Sequence, residues 1–146
     1  MTIKKETVRM ILAVVAGIIT AMLLSGVTHE LLYLFSNYPA PLKPIFETWP
    51  LWIALAYHSI YAVLGTIITA RIAKDRAKKA VFILGTKEAI MWLLGTILLW
   101  KHAAPWYNIT KAILGIPLAM LGGWIYAYFH NKKSKSNSFI SSTQQL

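Results

Sequence analysis

The sequence predicts an all-α polytopic membrane protein, with four transmembrane helices in an up-down bundle and both termini in the cytoplasm. Three observations lead there. Of 146 residues, 57% are hydrophobic and only 14% charged, whereas an ordinary soluble domain carries about 25% charged residues. The apolar residues fall in long unbroken runs. The basic residues sit in short clusters between those runs, and 15 Lys and Arg against 5 Asp and Glu leave a net charge of +10. On a soluble chain that balance would indicate nucleic acid. Interleaved with apolar runs it indicates multipass threading, so no nucleic-acid partner is expected.

A bilayer core of about 30 Å takes about 20 helical residues to cross. The expected spans are about 10–34, 49–70, 80–100 and 105–129, making 1–130 a single transmembrane domain. Met10 to Thr28 holds no charge, and the apolar character resumes through Leu34. Trp49 to Ala70 contains only His58, Ala80 to Trp100 only Lys87 and Glu88, and Pro105 to Phe129 only Lys111 as ionisable residues that could charge at neutral pH. Each run is too long for a strand, and in lipid its backbone must satisfy its own polar groups as a helix. Lys4, Lys5 and Arg9 ahead of the first run imitate a signal peptide. That run exceeds the about 7 to 15 residues of a signal h-region and no A-x-A site closes it, so a retained helix is expected.

Orientation follows the Lys and Arg distribution over short loops. Lys4, Lys5 and Arg9, then Arg71, Lys74, Arg76, Lys78 and Lys79, then Lys132, Lys133 and Lys135 all fall on one side. Only Lys43 and Lys101 fall on the other. The heavily basic side is cytoplasmic, which places the chain in the cytoplasmic (inner) membrane. Its basic connections should also attract anionic lipid, at about 1 kcal/mol per basic residue. The outer loop, Ser36 to Thr48, is rich in proline. Trp49, Trp52, Trp100, Trp106 and Tyr107 gather at the same boundary as an aromatic belt. Lys101 to Ala104 is expected as a tight outer turn before Pro105, a favourable first helical residue. From Asn131 to Leu146 the composition predicts a disordered basic tail.

Charge inside a span costs about 2.5 to 3.5 kcal/mol at a helix centre, so such residues are functional candidates. Glu88 lies roughly 12 Å past Ala80 by helical rise. Its neighbour Lys87 points about 100° away, pairs poorly with it, and can snorkel to the cytoplasmic headgroups. Gly17, Gly65, Gly85, Gly122 and Gly123 fall at about 7 to 11 Å depth, near the Glu88 layer. Together with Gly115 they are expected to pack helices closely, as Gly17 with Ala21, Gly65 with Thr69 and Gly115 with Ala119 have the small-xxx-small spacing. A constricted path lined partly by Glu88 is the alternative. In the outer half, His58 and Lys111 lie about 9 to 14 Å from the boundary. Lys111, Gly115, Ala119, Gly122 and Tyr126 share one helix face, so Lys111 is expected to point inward, with Glu30 as its counter-charge. His29 and Glu30 close the first span. Glu30, His58 and Lys111 could together hold an anion or polar headgroup, or relay protons. The alternative has Glu30 and Lys111 snorkelling to water and His58 bonded to a neighbouring helix.

Specific chemistries find little support. With no cysteine there is no disulfide, thiolate metal site or CxxC motif. His29-Glu30 lacks the second histidine of H-E-x-x-H, and no G-x-S-x-G elbow occurs. His29, His102 and His130 sit near boundaries and give His58 no haem-ligand partner at its depth. No metal or cofactor is expected, and no catalytic residue is assigned.

Pro105-Trp106-Tyr107, then Pro117, then Leu121-Gly122-Gly123 resembles the last span of small four-helix bacterial inner-membrane proteins of unknown function. The resemblance covers the four-span layout, with its motifs in the last quarter of the chain, and carries over no activity. Small multidrug-resistance transporters place a glutamate well inside the first span, whereas Glu30 is at its outer end. Vitamin K epoxide reductase-like proteins need cysteines that this chain lacks. The leading functional expectation is therefore a non-enzymatic structural, lipid-interacting or accessory protein. The alternatives are a small transporter or channel using Glu88, His58 and Lys111, and a membrane enzyme acting on lipid or quinone through His29, Glu30 and His58. Four such helices enclose little space, so a translocation path is expected between subunits of a homo-oligomer.

Overall fold

The chain is all-helical, with no strand among the described residues; only an isolated bridge joins Ile45 to Ala103. The computed structural model describes residues 5–40, 43–98 and 103–143, the last helix beyond 130 by its backbone alone. Lys4, Trp100, Lys101 and His102, and the side chains of Lys132, Lys133 and Lys135, lie outside the described residues. The helices are α1 (Lys5–Phe35), α2 (Thr48–Ala73), a single 3-10 turn (Lys74–Arg76), α3 (Ala77–Leu98) and α4 (Pro105–Thr143). Lys5–Phe35, Thr48–Leu98 and Pro105–His130 are long and apolar enough to cross a membrane.

Thr48–Leu98 covers both α2 and α3, so the connection expected from Arg71 to Lys79 shrinks to the 3-10 turn. Lys74 breaks the helix there with φ 50°, a conformation only glycine adopts without strain. The chain reverses at this point. His58 and Trp92, equally far along α2 and α3 from the turn, bring their rings within 6.0 Å. Helices α1 and α2 are also antiparallel, pinned at one end by Arg9 Nε donating to the Ile72 carbonyl at 2.7 Å. Towards the other end Thr28 Oγ1 lies 2.6 Å from Tyr61 Oη. Side chains Ile11, Leu12, Val15, Ile19, Met22 and Leu23 of α1 remain exposed, as suits a helix whose surroundings are apolar.

Small residues set the helix spacing. A Cβ on Gly17 would lie 2.6 Å from the Gly65 carbonyl oxygen, and one on Gly65 2.7 Å from that of Gly17. Only hydrogen lets the two backbones touch. Gly122 approaches the Val63 carbonyl in the same way, while Gly85 meets Ala119, Gly115 meets Ala89 and Gly123 meets Val81. The packed core divides by end. Met10, Ala13, Ala73 and Ala80 close the basic end, beside the Arg76–Glu6 ion pair at 2.7 Å. Leu51, Ala54, Leu55, Tyr57 and Tyr107 close the aromatic end, where Trp52 and Trp106 lie 5.4 Å apart.

α4 stays helical to Thr143, whereas composition predicts a disordered tail from Asn131. No Gly or Pro follows Gly123 in that stretch, so no breaker ends the helix where its apolar character ends.

Candidate functional site

Between the close-packed glycine layer and the aromatic end lies a cavity of about 250 Å³, lined from all of α1 to α4. Its polar lining is Ser25, His58, Ser59, Glu88, Trp92 and Lys111; the remainder is apolar, with Ile18, Met22, Leu114 and Leu118 prominent. Met22 is 68% exposed and yet forms part of the wall, so the cavity communicates sideways with the surroundings of the helices. Met10 and Ala13 cluster with Ala80 at the basic end. Further along, Met22 of α1 and Trp92 of α3 both line the cavity.

Lys111 is the central cation. It is 7% exposed, and its Nζ sits 3.4 Å from the centroid of the Trp92 ring and 5.3 Å from that of Tyr107. Nζ also donates to Tyr107 Oη at 3.4 Å. Tyr107 lies one turn before Lys111 on α4, and Trp92 reaches across from α3, so the ammonium is caged by aromatic faces attracted to positive charge. The inward face expected for Lys111 coincides with this position. Its expected counter-charge, Glu30, does not. Glu30 is exposed and lines no part of the cavity. The cause is helix geometry: α1 turns Ser25, Thr28 and His29 towards α2 through their contacts with His58, Tyr61 and Tyr57. Glu30 falls about 100° off that face.

Glu88 is the carboxylate at the cavity. Contrary to expectation, it pairs with its neighbour Lys87, Nζ to Oε1 at 3.0 Å. The long lysine stem curls back far enough to overcome the divergence of adjacent positions, and both side chains are partly exposed. Glu88 also borders a second space of only about 10 Å³ beside Gly17, Gly65, Gly115 and Ala119. That is room for a single water at most, so the cavity closes at the glycine layer. Thr66 and Thr69 are buried in the same region and satisfy their hydroxyls on the Ala62 and Ala13 carbonyls.

His58 Nδ1 lies 3.0 Å from Ser25 Oγ, joining α1 to α2 at the cavity wall. His29 belongs to a separate cluster at the aromatic end. Its Nδ1 is 3.5 Å from Tyr57 Oη, its ring meets Tyr38 edge-on at 5.1 Å, and its Nε2 is buried without a partner among the described residues. Tyr38 donates to the Pro50 carbonyl at 3.0 Å, tying the loop after α1 to the first turn of α2. Burial raises the Tyr38 phenol above its ordinary pKa. His29, Glu30 and His58 are thus not gathered at one cavity, and no group of His, Asp and Glu suited to a metal forms among the described residues.

The site residues expected from the sequence include neither Ser25 nor Trp92. Trp92 stands one helical turn after Glu88 and Tyr107 one turn before Lys111, so both carry the spacing of a shared face. Comparison of this chain with protein-family models, curated proteins and solved structures finds no match.

Proposed function

We propose that this chain is a four-span protein of the cytoplasmic membrane whose side-opening cavity holds the polar part of a membrane amphiphile. α2 and α3 are separate spans under this proposal, and both termini lie in the cytoplasm with the turn at Lys74. Support for that threading comes from Lys5, Arg9, Arg71, Lys74, Arg76, Lys78 and Lys79 lying at one end of the packed helices. The same end is suited to anionic headgroups.

One observation carries the ligand reading: the cavity joins a buried polar pole at Lys111 to an apolar opening at Met22. An amphiphile matches both, its headgroup replacing lost water at the pole and its chain leaving among the acyl tails. The test is native mass spectrometry of the protein released gently from its own membrane. A stoichiometric amphiphile should be retained, and Ala62→Trp, which fills the cavity, should remove it. Retention of bulk phospholipid only, unaltered by Ala62→Trp, would refute the proposal.

A transport role is the second reading, favoured by Glu88 bordering both the cavity and the narrow space beyond it. Under it, Glu88→Gln abolishes solute flux in liposomes while the fold survives.

A further inference from the structure

The cavity's charge distribution narrows its ligand, given the amphiphile reading above. We propose that Lys111 is an anion-binding group, and that the ligand is a membrane amphiphile whose headgroup carries a phosphate or carboxylate. An ammonium has three N–H donors. Among the described residues, Lys111 uses one, on Tyr107 Oη at 3.4 Å, and its remaining contacts are the π faces of Trp92 and Tyr107. Aromatic faces steady a cation, but they do not accept hydrogen bonds as oxygen does. The one carboxylate on the cavity, Glu88, is already paired with Lys87 at 3.0 Å, and no carboxylate among the described residues forms an ion pair with Lys111.

A buried, caged cation with unfilled donors lies against empty space of about 250 Å³. An anionic oxygen there would complete the ammonium's hydrogen bonds and neutralise its charge, the strongest kind of hydrogen bond available in a dry site. A free anion from water would have to cross the glycine layer or the aromatic end, both packed. The opening at Met22 instead faces the apolar surroundings, which selects an anion carried on an acyl or isoprenoid chain.

The experiment uses the full chain in uncharged detergent, with dioleoyl phosphatidic acid and dioleoylglycerol as competing ligands of identical tails. Retained lipid is read by native mass spectrometry. The wild type should favour the phosphate lipid roughly ten- to hundred-fold, as a charge-assisted bond implies. Lys111→Met and Lys111→Gln, checked for helicity and monodisperse elution, should bind both lipids alike. Lys111→Arg should restore the preference, and Lys43→Met, which removes an exposed charge from the loop after α1, should leave it intact. A wild type without preference, or a preference that survives both neutral variants, overturns the headgroup assignment while leaving the amphiphile reading standing. Glycerol 3-phosphate binding as tightly as phosphatidic acid overturns the tail requirement. Retention of neither lipid overturns the amphiphile reading, and this proposal with it.

Discussion

Lys111 illustrates how a single charge is housed in an apolar environment. Its stem lies along α4, and its ammonium rests on Trp92 and Tyr107 instead of on a carboxylate. Burying a charge is expensive, and replacing it with an apolar residue of similar volume is often neutral or stabilising. Lys111→Met is therefore expected to unfold in denaturant within about 1 kcal/mol of the wild type, or above it. Trp92→Ala should cost up to about 3 kcal/mol, the low end for a buried tryptophan, since it removes a large, partly buried side chain packed on the aromatic-end core as well as the cage. A strongly destabilised Lys111→Met would mean the lysine holds the helices together. The inward face of Lys111 is legible in the sequence, because Gly115, Ala119 and Gly122 continue it at helical spacing. The choice of Glu88 over Glu30 is not. It depends on which face of α1 meets α2, and that is decided by Ser25, Thr28 and His29 finding partners on another helix.

Helix against helix, the small residues decide the spacing. α1 and α2 meet backbone to backbone at Gly17 and Gly65, where even a methyl group would strike a carbonyl oxygen. Gly17→Ala should cost about 1 to 3 kcal/mol, the usual range for overpacking. Gly26→Ala, which meets nothing within 4 Å, should leave stability unchanged or raise it, as alanine is the better helix former. Thermal unfolding in detergent separates the two, and equal effects would show that close approach at Gly17 does not matter. Sequence spacing identifies which face of each helix carries its small residues. It does not say that Gly17 opposes Gly65 while Gly122 opposes Val63, because partner choice needs the three-dimensional order of helices. The turn at Lys74 is hidden for another reason. No Gly or Pro marks it, and a lysine takes the positive φ.

Across the whole molecule, the basic end and the aromatic end give the chain a polarity, and the cavity lies between them, nearer the aromatic residues. The all-helical class and the long apolar runs follow directly from composition and run length. The cavity could not be read that way, since its wall combines residues of all four helices, whose order in space no single run of sequence records. Threading is open to a simple test because the chain has no cysteine. Lys43→Cys should react with an impermeant maleimide in intact cells, and Lys79→Cys only after permeabilisation; the reverse pattern would invert the proposed topology. The most direct examination of the cavity is photo-cross-linking in the native membrane with a phospholipid bearing a photoactivatable acyl chain, with the adducts mapped by peptide mass spectrometry. Adducts on the cavity wall at Ala62, Trp92 and Leu114 are expected, in addition to the outward-facing side chains. Adducts confined to outward-facing residues such as Leu12, Ile19, Phe82 and Ile97 would contradict a lipid-filled cavity.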